Sequence, residues 1–72
     1  MVQVTSPTAG TVFQVRVQPG ESVGKGHELL TLESMKMEIP VEAPVAGRVH
    51  KLLADVGAFV NVDQVLAEIE PA

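Results

Sequence analysis

The sequence predicts an all-β fold on three observations. Apolar residues recur at alternate positions, β-branched Val dominates them, and Gly or Pro interrupts the pattern every several residues. No stretch carries the period of a helix of useful length. In order, strands are expected at about Val2 to Thr5, Thr11 to Val17, Leu29 to Glu33, Met37 to Val41, Arg48 to Leu53 and Val65 to Glu70, each an alternating run between turn residues. Short strand-like pieces at Ser22 to Val23 and Phe59 to Val60 make eight. Pro19 and Gly20 mark one turn, Val56 and Gly57 another.

Shifting the chain by 37 residues lays Ser6 to Glu33 on Ala43 to Glu70 without a gap over 28 positions. Eight are identical: Pro7/Pro44, Ala9/Ala46, Gly10/Gly47, Val12/Val49, Gly20/Gly57, Val23/Val60, Leu29/Leu66 and Glu33/Glu70. Roughly two would match by chance in a Val-rich chain, and shared Pro and Gly positions are backbone requirements rather than composition. A repeat too short to bury its own face must pack on its twin, so two four-stranded antiparallel sheets related by a quasi-twofold axis follow, in one domain over residues 1–72. Ser34 to Glu42, the junction, has no counterpart in the overlay. Something other than the repeat fixes its sequence.

Composition narrows the function. A chain of 72 residues has a core too thin to enclose a catalytic cleft, so a self-sufficient enzyme is not expected. Without cysteine there is no disulfide, redox site or thiolate metal site. His27 and His50 stand alone without ligand-spaced partners, so no metal is expected. A net charge of −4, with no Trp or Tyr and only two Phe, argues against nucleic acid. No run approaches the ~18 apolar residues that span a bilayer, and Met1 to Gly10 lacks the regions of a signal peptide, so a soluble, cytoplasmic protein is expected.

Parity places the junction. Leu30 and Leu32 align with Ala67 and Ile69 and face inward, leaving Glu33 outward; beyond the junction Met37, Ile39 and Val41 face inward, alternating with Glu38, Pro40 and Glu42. A hairpin with a two-residue loop at Met35 and Lys36 satisfies both patterns, setting Leu32 opposite Ile39, Glu33 opposite Glu38 and Ser34 opposite Met37. The ammonium of Lys36 then ends at an exposed tip. Two features break local rules. Tight two-residue loops prefer Asn-Gly-like pairs, and like charges at Glu33 and Glu38 oppose each other across the strands. Such violations gather where function sits, although a loop lysine among carboxylates is also what a merely solvated ion cluster looks like.

The run ESMKMEIPVEAPVAGRV, Glu33 to Val49, resembles the attachment region of biotinyl domains in biotin-dependent carboxylases, where Met-Lys-Met surrounds the modified lysine. The similarity extends through VQPGESVGKGHELLTLE before the lysine and the G-x-x-V-x-x-x-Q-x-L-x-x-I-E run from Gly57 to Glu70, and 36 residues follow Lys36 as in C-terminal biotinyl domains. Ser34 stands where many such domains have Ala, and Asp63 where the second half usually has Gly. The short link Gln18 to Gly20 leaves no room for the thumb that some bacterial carriers insert. Lipoyl domains share the fold and the hairpin lysine, and Glu33 and Ser34 suit them too; Met35 and Met37 favour biotin.

The resemblance implies a barrel-sandwich hybrid, a flattened β-barrel, with biotin joined covalently to Lys36 by a biotin protein ligase. Lipoate, for a 2-oxoacid dehydrogenase or glycine-cleavage system, is the alternative. An alkyl ammonium is almost wholly protonated at pH 7, so the ligase must supply deprotonation, and Glu33, Ser34 and Glu38 are expected to serve its recognition. Met35 and Met37 offer soft contacts to the ligase or to the biotin ring, with Met37 at least partly in the core. The domain would itself catalyse nothing: a biotin carboxylase would load a carboxyl group onto the ureido nitrogen and a carboxyltransferase would pass it on. A domain cut from a eukaryotic carboxylase would belong to the mitochondrial matrix.

Overall fold

The computed structural model describes all 72 residues. Its strands are β1 (Val2–Thr5), β2 (Gly10–Val15), β3 (Ser22–Val23), β4 (Glu28–Ser34), β5 (Met37–Glu42), β6 (Gly47–Leu52), β7 (Phe59–Val60) and β8 (Val65–Pro71). They form two four-stranded antiparallel sheets, ordered β5-β4-β2-β7 (the hairpin sheet) and β1-β8-β6-β3 (the opposite sheet). The flattened barrel stays open, because the sheets share no ladder. Their edges are the two-residue strands β3 and β7, together with β1 and β5, and Pro40 in β5 has no N–H to offer a further strand.

Every strand lies where the alternation puts it, with one systematic difference. β2 and β6 stop at Val15 and Leu52, short of the expected Val17 and Leu53. Each contains a β-bulge, at Phe13 between Val12 and Gln14 and at His50 between Val49 and Lys51. The extra residue kinks the strand and ends its pairing early.

The two halves are copies down to their register. Leu30 and Leu32 pair with Val41 and Ile39, and 37 residues on Ala67 and Ile69 pair with Val4 and Val2. Turn hydrogen bonds repeat as well: Gly26 N donates to Ala43 O and Asp63 N to Ser6 O, both at 2.8 Å. Asp63 takes the left-handed conformation of its counterpart Gly26, φ 65° against 86°, so the departure at this turn leaves its geometry intact; Asp is among the few residues that tolerate it. The halves also interlock. β3 belongs to the first half but pairs in the opposite sheet with β6, while β7 of the second half pairs with β2. A groove between β1 and β5 is lined by twin pairs, among them Val4/Val41 and Pro7/Pro44, and so lies on the quasi-twofold axis.

The core between the sheets is entirely aliphatic, and 12 of its 14 residues form six twin pairs, Leu29/Leu66 and Leu32/Ile69 among them. Burial of such side chains is worth about 1.5–3 kcal/mol each. Gly10 and Gly47 open β2 and β6 at matching places for a steric reason. A methyl group on Gly10 would lie 2.7 Å from the carbonyl oxygen of Glu33, and one on Gly47 would press still harder on that of Glu70. This contact seats the tip end of β4 in the β4–β5 hairpin against the start of β2.

Candidate functional site: the β4–β5 hairpin tip

The hairpin pairs from Glu28↔Glu42 to Ser34↔Met37, with Leu32 opposite Ile39 and Glu33 opposite Glu38 as parity requires. Its loop is the two residues Met35 and Lys36, both left-handed, with φ 52° and 64°. Positive φ at both positions is the signature of the type I′ turn, whose twist matches that of the strands. Neither residue suits it, and each left-handed non-Gly residue costs about 1–2 kcal/mol. The long ladder behind the turn imposes that conformation.

Burial falls steadily toward the tip. On β5, Val41 is buried, Ile39 half-buried and Met37 65% exposed. Met37 therefore does not join the core as its parity suggests: alternation sets the direction of a side chain, but the facing layer ends before the tip. Met35 is 93% exposed, and Lys36 is exposed beside it. None of the side-chain hydrogen bonds involves Lys36, and the one ion pair of the molecule joins Arg16 to Glu28 instead, at 3.5 Å. The side chain of Lys36 is exposed and unpartnered at the hairpin tip. A long, unpartnered amine that can be approached from many directions fits covalent attachment of a carboxylic acid through an amide.

Around the tip, Ser34 is half-buried and lies against the space above Gly10, 3.4 Å from where a Cβ would stand. Glu33 and Glu38 are exposed and carry no ion pair. Farther down the same strand, Thr31 is buried and donates a hydrogen bond of 2.5 Å to Glu28, whose carboxylate also meets Arg16. The root of the hairpin is thus compensated and its tip is acidic. His27 and His50 are both exposed and away from the hairpin tip, His27 just before β4 at the hairpin root and His50 as the bulge residue of β6. The loop from Arg16 to Glu21 matches its twin in length and hydrogen bonding, with Gly20 N to Val49 O repeated by Gly57 N to Val12 O, so no thumb projects from it.

Two exposed residues of the hairpin sheet escape the parity argument. Phe13 stands at the β2 bulge and Phe59 on β7, opposite Thr11. The signal was available: they are the only aromatic residues of the chain, and their twins are His50 and Ser22.

Comparison with known proteins agrees with this geometry. A "Biotinylated protein TB7.3 homolog" of Mycobacterium leprae is 44% identical over 66 residues, covering 92% of this chain and 93% of that protein. A "Biotin/lipoyl attachment protein" of Bacillus subtilis is 42% identical over 66 residues, covering 92% and 90%. Pyruvate carboxylase of Aspergillus terreus is 39% identical over 97% of this chain, which spans only 6% of that enzyme. Among solved structures, the urea carboxylase of Kluyveromyces lactis superposes with a TM-score of 0.91 at 28% identity, over 96% of this chain and 6% of that one. The family described as "Biotin-requiring enzyme" matches residues 2–69, and the chain, with its two-sheet fold and its hairpin lysine, belongs to that family.

Proposed function

We propose that this chain is a biotin carboxyl carrier and that Lys36 is its point of attachment. The observation that carries the reading is the free amine at the left-handed two-residue tip, flanked by the exposed side chains of Met35 and Met37. In the attachment step Lys36 Nζ attacks the activated carboxyl group of biotin. An amide bond forms, the bond to the activating group breaks, and a proton leaves the nitrogen for a base of the biotin protein ligase. Bound there, biotin supplies a ureido nitrogen that takes up and gives up a carboxyl group.

The chain itself tethers and presents. The β4–β5 ladder fixes the base of the lysyl arm, so the arm's search is limited to its own length. Tethering holds the attached group at millimolar-scale effective concentration near a biotin carboxylase and a carboxyltransferase whose spacing the span can bridge. Two observations favour biotin over lipoate: the Met-Lys-Met run at the tip, and relatives whose names include biotinylated protein and pyruvate carboxylase. Co-expression of the chain with a biotin protein ligase and, separately, with a lipoyl ligase tests the reading by intact mass. A biotinyl gain with the first is expected. A lipoyl gain alone would transfer the chain to the lipoyl carriers, and no gain with either ligase would overturn the carrier role.

A further inference from the structure

The chain holds no cysteine, so the thioethers of its three methionines are its only sulfur atoms. Methionine is commonly a filler of irregular core gaps, yet here none of the three lies in the aliphatic core or packs against it. Met35 is 93%, Met37 65% and Met1 62% exposed. Two of the three flank Lys36. Farther from the tip, the inward face of β5 carries Ile39 and then Val41 as burial increases. A thioether replaces the inert aliphatics only where that face meets solvent.

An accessible thioether is open to oxygen transfer from a hydroperoxide. A sulfur lone pair takes one peroxide oxygen, an S–O bond forms and the O–O bond breaks. The sulfur is oxidised by two electrons, and the other oxygen of hydrogen peroxide leaves as water. A flexible apolar side chain becomes a polar one. At Met35 and Met37 the fold does not oppose this change, because neither side chain has a packing layer to lose. The amine between them is affected all the same. Acylation in a water-excluding site takes Lys36 Nζ in together with its neighbours, since Met35 shares the loop and Met37 pairs with Ser34 at its foot. A sulfoxide oxygen buried there without a donor is costlier to desolvate than a thioether.

We propose that Met35 and Met37 form a hydroperoxide-sensitive modification site, whose oxidation to sulfoxide suppresses acceptance of biotin at Lys36. Met35, the more exposed, reacts first. The proposal rests on the reading of Lys36 as the biotinylated residue and adds a reversible chemical control to it. A thiol-dependent methionine sulfoxide reductase removes the oxygen as water while two thiols become a disulfide, and acceptance returns.

The test exposes the whole unmodified chain to graded hydrogen peroxide, destroys the excess with catalase and locates sulfoxides by peptide mass. The initial rate of biotin incorporation is then measured with untreated biotin protein ligase. Sulfoxide should appear at Met35 before Met37, and the rate should fall about tenfold, the scale of one polar group buried without a partner. Thermal unfolding should not move, and reductases for both sulfoxide epimers should restore the rate. Met35→Leu combined with Met37→Leu leaves Met1 as the remaining thioether; whatever its starting rate, that rate should be the same before and after peroxide. Where the double variant accepts biotin too slowly to compare, reductase rescue of the unaltered chain decides. No sulfoxide at Met35, an undiminished rate with both positions oxidised, a loss that the reductases do not reverse, or an equal loss in the double variant would each overturn the switch and leave the carrier reading standing. Failure of the untreated chain to accept biotin would overturn both.

Discussion

On the opposite sheet, Glu70 lies across from Arg48 and Glu68 across from Lys51. At the same places on the hairpin sheet, Glu33 lies across from Thr11 and Thr31 across from Gln14, while Glu33 has Glu38 on its other side. The backbones agree in strand order, register and bulge position, so these differences cannot be requirements of the fold. One surface sets opposite charges across from each other in register, although neither pair closes to an ion pair. The other lacks that arrangement at the same places, has its ion pair only at the hairpin root between Arg16 and Glu28, and adds exposed aromatics and a turn of unsuitable residues. Where a scaffold is duplicated, the positions at which the copies agree identify what folding needs, and those at which they disagree identify what function has altered.

The disagreement is greatest at Lys36, which has no twin. Lys36→Arg should abolish biotin incorporation completely and leave the unfolding transition in place, because the side chain is exposed and unpartnered; mass after incubation with the ligase, alongside thermal unfolding, checks both halves of that expectation. The agreement is sharpest at Gly10 and Gly47. Alanine at either should destabilise the protein by about 1–3 kcal/mol in denaturant unfolding. Gly47→Ala should be the more damaging, since its new methyl group would also meet the Ile69 side chain at 2.9 Å.

Left-handed residues offer a finer contrast. Met35→Gly should raise stability by about 1 kcal/mol by removing strain that the ladder now imposes. Asp63→Gly, which restores the residue of its twin turn, should gain only about half as much, because Asp tolerates the conformation. The smallest effect concerns charge. Glu38→Lys should stabilise the hairpin by about 0.5 kcal/mol at low salt by converting a like-charge pair into an opposite one, and the gain should shrink as salt screens it. The same change should slow biotinylation, and that opposition of stability and rate separates a recognition role from a structural one.

Much of this was legible in the sequence. The pairings Leu32/Ile39, Glu33/Glu38 and Ser34/Met37 follow from parity alone, because a slip by one residue would turn Leu30, Leu32 and Val41 to solvent. Ser22–Val23 and Phe59–Val60 were legible despite their brevity, since the repeat forces any strand in one half to recur in the other. Met37 was not: its parity points inward, yet nothing in the sequence says how far along β5 the facing layer extends. The bulges at Phe13 and His50 were hidden for a related reason. An extra residue interrupts alternation only locally, and the flanking Val12 and Val15 still read as one continuous strand. The charge contrast between the faces needed register on both sheets before Arg48 could be assigned to Glu70.

Site mapping after exposure of the whole chain to biotin protein ligase, biotin and ATP tests the central claim most directly. The three lysines, Lys25, Lys36 and Lys51, are all exposed, so accessibility alone would label them alike. A single biotinyl group found on Lys36, with Lys25 and Lys51 unmodified, is the predicted result. Comparable labelling of Lys25 or Lys51 would contradict the claim that the β4–β5 hairpin singles out one amine.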